Sequence, residues 1–269
     1  RLSSDDPNMQ NFPKRDEEAK AVRRLIVPPP GMLLLASDYG ALEARVIAMR
    51  SRDKFLVKAL WEKYDIHLEW AQKVAKMSPR VFENRGSDIK AFRDEIKNQL
   101  VFPAFYGALP PSIARALETK ESKVVKLFDE FWDTFSGVKT MQDEMFAFYD
   151  THGYVEGLLG RRRQGPLSRN KIINTPIQGD ASDIVVDAMC RLSERAHREG
   201  DPHFQPVLNI HDDLSFFIPE NKVEYYQKAI GKEMVSCPFD FINVPMVVSM
   251  SVGKNWCDMK EIAKVSSAD

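Results

Sequence analysis

The sequence predicts an α+β fold: an antiparallel sheet assembled from distant segments, with a long helical block between them. Three observations predict it. Short apolar runs of strand length stand towards both ends of the chain, at 32–36, 207–210, 214–218 and 244–252. Between them, residues 66–148 read as mostly helical. The stretch NIHDDLSFF (209–217) turns one apolar run straight into the next, so those two strands must pair antiparallel.

Each element follows from local chemistry. Residues 1–20 read as extended loop, punctuated by Pro7 and Pro13. The turn Pro28-Pro29-Pro30-Gly31 leads into 32–36, an apolar run ending in Ser37-Asp38 that reads as a buried strand. A helix is expected over 42–60, with Leu42, Val46, Ile47 and Met49 as its apolar stripe. Within the helical block, breaks are expected near Ser78-Pro79, near Gly86, at Pro110-Pro111 and at Ser136-Gly137. Residues 172–198 form the clearest helix, because Ile173, Ile177, Ala181, Ile184, Val185, Ala188 and Leu192 recur at steps of three and four. After the hairpin come a helix at 223–235 and a strand at 244–252.

Composition bounds the partners. The 269 residues suffice for one large domain or two closely packed ones, and 43% of them are hydrophobic, enough for a sizeable core. A net charge of -1 gives no global sign of a nucleic-acid partner, so any basic surface must be local. Two clusters qualify: Arg50, Arg52, Lys54 and Lys58, and Arg161-Arg162-Arg163 with Arg169 and Lys171. Taken alone, such runs are more often solvated faces than binding sites. Three cysteines without CxxC spacing suit neither a disulfide framework nor a zinc site, and point to a reducing, intracellular setting. No apolar run approaches membrane-spanning length and no signal peptide opens the chain, so no membrane partner is expected. The abrupt start at Arg1 reads as that of a fragment of something longer.

Asp212-Asp213 and Asp38 are the first candidates for chemistry. Asp suits the tight loop of a hairpin, and Asp38 suits the N-cap of the helix that follows it; both readings stay open on the residues alone. Yet Asp38 and Asp212 end separate buried runs, and strands of one sheet lie only about 4.8 Å apart. Carboxylates gathered that closely repel unless a cation neutralises them. Hard oxygen ligands with room for water and phosphate suit Mg²⁺, and two such ions about 4 Å apart clamp an in-line phosphoryl transfer.

The segment FRDEIKNQLVFPAFYGA (92–108) is the second candidate. Arg93 and Lys97 are four apart, as are Phe102 and Tyr106. Cations that hold a triphosphate beside aromatics that stack a base would form a nucleotide platform. An exposed basic pair on a helix with core aromatics would leave the same pattern.

Together these segments resemble the family A DNA polymerases, the bacterial polymerase I type. RLSSDDPNMQN (1–11) is similar to the family's approach to the palm, SDYGALEAR (37–45) to motif A, DYSQIELR, and DIH (65–67) to a short fingers signature. Residues 93–107 resemble motif B, R-x3-K-x3-aromatic-x3-YG; NTPIQGDASDI (174–184) resembles NAPMQGTAADI; IHDD (210–213) resembles motif C, usually VHDE. The segments occur in the family's order along nearly the whole chain. The VFPAFYG variant is similar to phage and viral members.

The resemblance implies a right-hand fold, an antiparallel palm sheet with helices plus mostly helical fingers. Residues 1–60 and 173–269 would be palm and 61–172 mainly fingers, with the thumb largely absent. It implies template-directed addition of dNMP to a primer 3′-OH with release of pyrophosphate, on two Mg²⁺ ions, with Mn²⁺ as a substitute. Primer-template DNA and dNTPs are the implied partners. The setting is the cytoplasm of a bacterium or a phage-infected host. RNA-templated synthesis and a catalytically silent nucleic-acid-binding relative are the alternatives.

By the same resemblance, Asp38 and Asp212 hold the metals, with Asp213 and Lys97 completing the catalytic set. Glu43 packs under the sugar and excludes a 2′-OH. Tyr39, His67, Arg93, Lys97, Phe102 and Tyr106 serve the incoming dNTP, Tyr106 stacking at the templating position. Arg1, Asn8, Gln10, Arg45, Asn174, Gln178 and His211 contact primer-template. Asn174 and Gln178 are four apart on the clearest helix, as a reader of minor-groove geometry requires.

Four departures stand out. Asp213 replaces the usual Glu and is one methylene shorter, which puts direct coordination in doubt. Gly40 and Ala41 stand where Ser and Gln are usual, and Asn170 falls where Arg is expected, in a loop (163–174) short for the family. One extra residue separates Lys97 from Phe102, which in an α-helix would rotate cations and aromatics apart by about 100°. A π-bulge or kink over residues 99–103, at Pro103, is expected to restore a common face.

Overall fold

The computed structural model describes residues 6, 8–13 and 17–269. They divide into two compact units, Arg1–Ala44 with Gln178–Asp269, and Arg45–Ile177. A helical stretch inserted between sheet-forming segments is thus the arrangement found.

In chain order the elements begin with a 3-10 turn at Met9–Asn11, α1 (Glu17–Lys20), a second 3-10 turn at Ala21–Leu25, and β1 (Met32–Tyr39). Next come α2 (Leu42–Ser51), α3 (Lys54–Trp61), α4 (Ile66–Met77), α5 (Pro79–Glu83) and α6 (Ile89–Ile96). A π-helical turn, Lys97–Val101, leads to α7 (Phe102–Phe105), α8 (Pro110–Ala116), α9 (Glu121–Thr134) and α10 (Ser136–His152). The rest is β2 (Tyr154–Glu156), β3 (Arg162–Gln164), α11 (Arg169–Glu199), β4 (Leu208–Ile210), β5 (Asp213–Pro219), α12 (Val223–Val235), β6 (Val247–Gly253) and β7 (Lys260–Ser266).

Unit one is an antiparallel five-stranded sheet of order β4-β5-β1-β6-β7. β1 is central because Leu33, Leu34, Leu35 and Ala36 supply apolar side chains to both faces. α12 covers the sheet through Tyr226, Ile230 and Met234, all buried. The helix approaches so closely that a Cβ on Gly231 would lie 2.8 Å from a methyl carbon of Val265. At the sheet's side, the Arg23 guanidinium stacks 3.9 Å from the centre of the Trp256 ring and donates to the carbonyls of Phe12 and Pro13. β7 was not anticipated from the sequence, although KEIAKVS alternates in the manner of an edge strand.

Unit two is helical apart from the β2–β3 hairpin, which was also not anticipated. Its core is aromatic: Trp70, Phe105, Phe131 and Phe135 are buried with ring centroids 4.7–6.1 Å apart. The single helix expected over 42–60 is two. Arg52 adopts φ 50, and Asp53 caps α3 by accepting the Leu56 N–H at 2.8 Å. The other Asp53 oxygen accepts the Gly137 N–H at 2.8 Å, so this buried carboxylate joins two helix starts. The breaks expected at Ser78-Pro79, Pro110 and Ser136 fall at element ends, and Gly86 lies in the connection between α5 and α6.

Candidate active site

The functional candidates fall into two groups, one in each unit. In unit one the register pairs Asp38 of β1 with Asp213 of β5, and Asp38 with Ser249 of β6 on its other side. Directly opposed residues of an antiparallel pair share a face, so the Asp38 and Asp213 carboxylates project from the same side of the sheet. Asp212 is in the two-residue turn with His211, which takes a left-handed φ of 58. The Tyr39 N–H donates to the Asp212 carbonyl at 3.1 Å, tying this turn to the end of β1. Of the two acids suited to the hairpin loop, only Asp212 lies in it; the strand begins at Asp213, which makes Asp213 the direct partner of Asp38. The Ser215 hydroxyl donates to Asp213 Oδ1 at 3.0 Å and orients it.

Glu43, in the first turn of α2, lines a small cleft with Ala181, Ser182, His211 and Asp212. Burial, and secondarily the charge of Asp212, push its carboxyl up to about 7. Two acids, Glu43 and Asp212, thus share the cleft, next to the strand pair that carries Asp38 and Asp213. Among the described residues, no group of three or more His, Cys, Asp or Glu side chains is disposed to hold a metal alone. The donor chemistry nonetheless suits Mg²⁺, whose remaining positions go to water and substrate phosphate.

Tyr39 needs a correction. Its side chain alternates to the opposite face from Asp38, is buried, and donates its hydroxyl to the Met234 carbonyl at 2.6 Å. Burial holds the phenol well above its usual pKa. Only the main chain of Tyr39 is left to meet a nucleotide. Arg45 is likewise buried, at 8% exposure, and burial lowers its guanidinium to about 10, so it is poorly disposed to meet a backbone phosphate.

In unit two, α6, the π turn and α7 carry Arg93, Lys97, Phe102 and Tyr106. The Phe102 N–H donates to the Lys97 carbonyl, an i to i−5 bond that takes up the extra residue. The turn covers Lys97–Val101, slightly earlier than the 99–103 expected. Pro103 follows within the first turn of α7, where its missing N–H costs little. The common face is restored: Lys97 Nζ lies 5.6 Å from the Phe102 ring centre, and Phe102 stacks with Tyr106 at 6.2 Å. His67 joins them from α4, its ring 5.6 Å from Phe102. Burial, then the charges of Lys97 and Arg93, lower His67 to about 4, so the imidazole is neutral. Its Nδ1 is buried without a hydrogen-bond partner.

The remaining candidates are placed less tellingly. Asn8 and His211 are exposed and Gln10 half-buried. Asn174 and Gln178 both lie within α11, on either side of the unit boundary, and Asn174 Oδ1 is buried without a partner. Arg1 lies outside the described residues.

Sequence reasoning missed three supporting side chains. Asp65 Oδ2 accepts Arg93 Nε at 2.6 Å. Gln142 is buried and donates to the carbonyls of Ala104 and Phe105, at 3.0 and 2.9 Å, closing the end of α7 beside Tyr106. Arg85 donates to Gln99 Oε1 at 2.7 Å and anchors the π turn. The only local signal was Asp65 as an N-cap before Ile66, which predicts a helix start but not an arginine partner.

Unit one thus presents acids at a strand-turn junction of an antiparallel sheet, and unit two carries a cationic and aromatic helix face. The family model described as DNA polymerase family A matches residues 1–258, and the chain belongs to that family. DNA polymerase I of Chloroflexus aurantiacus is 32% identical over 273 residues, covering 98% of this chain and 28% of its own length. The Bacillus subtilis DNA polymerase I is 31% identical over 272 residues, covering 97% of this chain and 30% of its own. The chain thus spans less than a third of the length of these curated relatives. Among solved structures, the POL domain of Pol1 from M. smegmatis, in complex with DNA primer-template and dNTP, matches with a TM-score of 0.80 at 25% identity. It covers 96% of this chain and 46% of that one. The fold is accordingly the mixed helix and antiparallel sheet of a family A polymerase domain.

Proposed function

We propose that the chain is the palm and fingers portion of a template-directed DNA polymerase, adding dNMP to a primer 3′-OH and releasing pyrophosphate. The observation that carries this reading is Asp38 in register with Asp213, with Asp212 hydrogen-bonded through its carbonyl to the end of the same strand. In a family A chain, that constellation matches the acids of motifs A and C. Residues 1–60 and 173–269 are assigned to the palm and 61–172 to the fingers, an assignment supported by compact units cut near those bounds.

Asp38 and Asp212 would hold the divalent ions, Mg²⁺ or Mn²⁺, with Asp213 oriented by Ser215 as a further acid beside Asp38. The metal-dependence of the family in general supports this. Bound metal would supply Lewis-acid stabilisation of charge on the attacking and leaving oxygens. Arg93, Lys97 and neutral His67 would bind the triphosphate by charge-assisted hydrogen bonds. Phe102 and Tyr106 would stack on the sugar and templating base. Glu43 would occupy the space that a 2′-OH needs. Asn8, Gln10, Asn174, Gln178 and His211, with Arg1, would contact primer-template. DNA primer-template and dNTPs are carried over from the M. smegmatis relative, and an intracellular setting from the bacterial relatives. No helix among the described residues is long and apolar enough to cross a membrane.

The test is primer extension with Mg²⁺ on DNA and RNA templates, with dNTPs and rNTPs, using this chain and the longest natural form that contains it. Extension on DNA with dNTPs is expected. Preference for an RNA template would overturn the template assignment, and binding of primer-template without extension by either form would point to a silent relative.

A further inference from the structure

The Asp65 carboxylate has two jobs at once. Its Oδ1 accepts the N–H groups of His67 and Leu68, both at 3.1 Å, and so starts α4. Its Oδ2 accepts Arg93 Nε at 2.6 Å, from a residue 28 positions further along on α6. One side chain therefore sets the backbone of His67 and the guanidinium of Arg93. Arg93 Nη1 is held by Asp94 Oδ1 at 2.5 Å, whereas among the described residues Arg93 Nη2 makes no hydrogen bond. The fork is consequently fixed at Nε and free at Nη2. A freely rotating arginine would spend side-chain entropy on finding a phosphate.

Asp65 also supplies the anion that this group needs. Arg93 and Lys97 both disfavour a proton on His67, and Asp65 opposes them. Without Asp65, Asp94 alone would offset the two cations that face the imidazole.

We propose that Asp65 is a positioning residue for nucleotide binding: it locks Arg93 and the N-terminus of α4 into one hydrogen-bonded unit whose free guanidinium edge and Lys97 receive the triphosphate. This rests on the polymerase reading of the same site. Asp65 itself touches no substrate and acts only through Arg93 and His67.

Asp65→Asn separates the two jobs, because asparagine caps a helix as well as aspartate does but presents an amide to Arg93 Nε. The expected result is a rise in the apparent dNTP KM of about tenfold, with kcat changed by no more than about twofold. Asp65→Glu, which keeps the acid, should recover most of the loss. Arg93→Ala should raise KM at least as much, and adding Asp65→Asn to it should cost little more, since the lock is already gone. Wild-type extension with an unchanged KM in Asp65→Asn overturns the positioning role alone. So does an additive double variant, or a loss of thermal stability that accounts for the whole effect. A wild type that neither extends primers nor binds a fluorescent dNTP analogue overturns the polymerase reading, and this role with it.

Discussion

Asp38 of β1 stands directly opposite Asp213 of β5 in an unbroken antiparallel register, and their carboxylates share one face of the sheet. Like charges so paired weaken a sheet, so their retention at this junction asks for a counter-ion. Asp38→Asn should raise stability in EDTA by about 0.5 kcal/mol while lowering Mg²⁺-dependent extension by at least about 10³-fold. Chemical denaturation and single-turnover extension on the same preparation check both. Activity lost in step with folding, or activity kept, would sink the metal assignment. Chelation of the wild type should abolish extension, and added Mg²⁺ should restore it.

Glu43 lines the cleft beside Asp212 and is partly buried there. If it bars a 2′-OH by bulk, Glu43→Ala should raise rNTP incorporation relative to dNTP by about tenfold or more, mainly through the rNTP KM. Competition assays with matched rNTP and dNTP read this ratio. An unchanged ratio would return Glu43 to the bland role of an acid in a helix's first turn.

His67 offers a pH test with a definite sign. Its folded pKa is depressed to about 4, by burial and then by Lys97 and Arg93, from an unperturbed value of about 6.5. Between those values the unfolded chain binds a proton that the folded chain refuses. Stability is therefore lost as pH falls from about 6.5 towards 4, by at most about 1.4 kcal/mol per pH unit for this one group. Urea denaturation across that window should give a shallower slope for His67→Gln than for the wild type. Equal slopes would mean that the imidazole titrates freely.

Gln142 closes the end of α7 by donating to two buried carbonyls. Gln142→Leu keeps the volume and takes the side-chain donor from the Phe105 carbonyl, while the Ala104 carbonyl keeps the Gly107 N–H at 3.0 Å, which should cost about 1 kcal/mol of stability. Because Tyr106 follows at once, nucleotide KM should rise even under conditions where the variant is fully folded. A variant as stable as the wild type would show that water replaces the amide.

Much of the architecture was legible along the chain. The heptad-like recurrence from Ile173 to Leu192 defines the core stripe of α11, and the bounds of α12 follow from its own pattern. The mismatch in spacing between Lys97 and Phe102 called for a π-bulge or a kink, because a fixed 3.6-residue period rotates the two pairs apart, and the structure takes the π turn. The strands β2 and β3 escape a reading of the sequence because three-residue segments carry little periodic signal, and the edge strand β7 because one short alternating run does not by itself name its partner.

What local pattern determined was which residue types stand at strand ends and on helix faces, since period and capping act within a few residues. Tertiary pairing alone decided that Asp213 rather than Asp212 faces Asp38, that the Tyr39 side chain turns to a carbonyl 195 residues away, and that Asp65 meets Arg93. The physical reason is register: a slip of one residue in a strand sends every side chain to the other face, and the partner that prevents the slip lies far away in sequence.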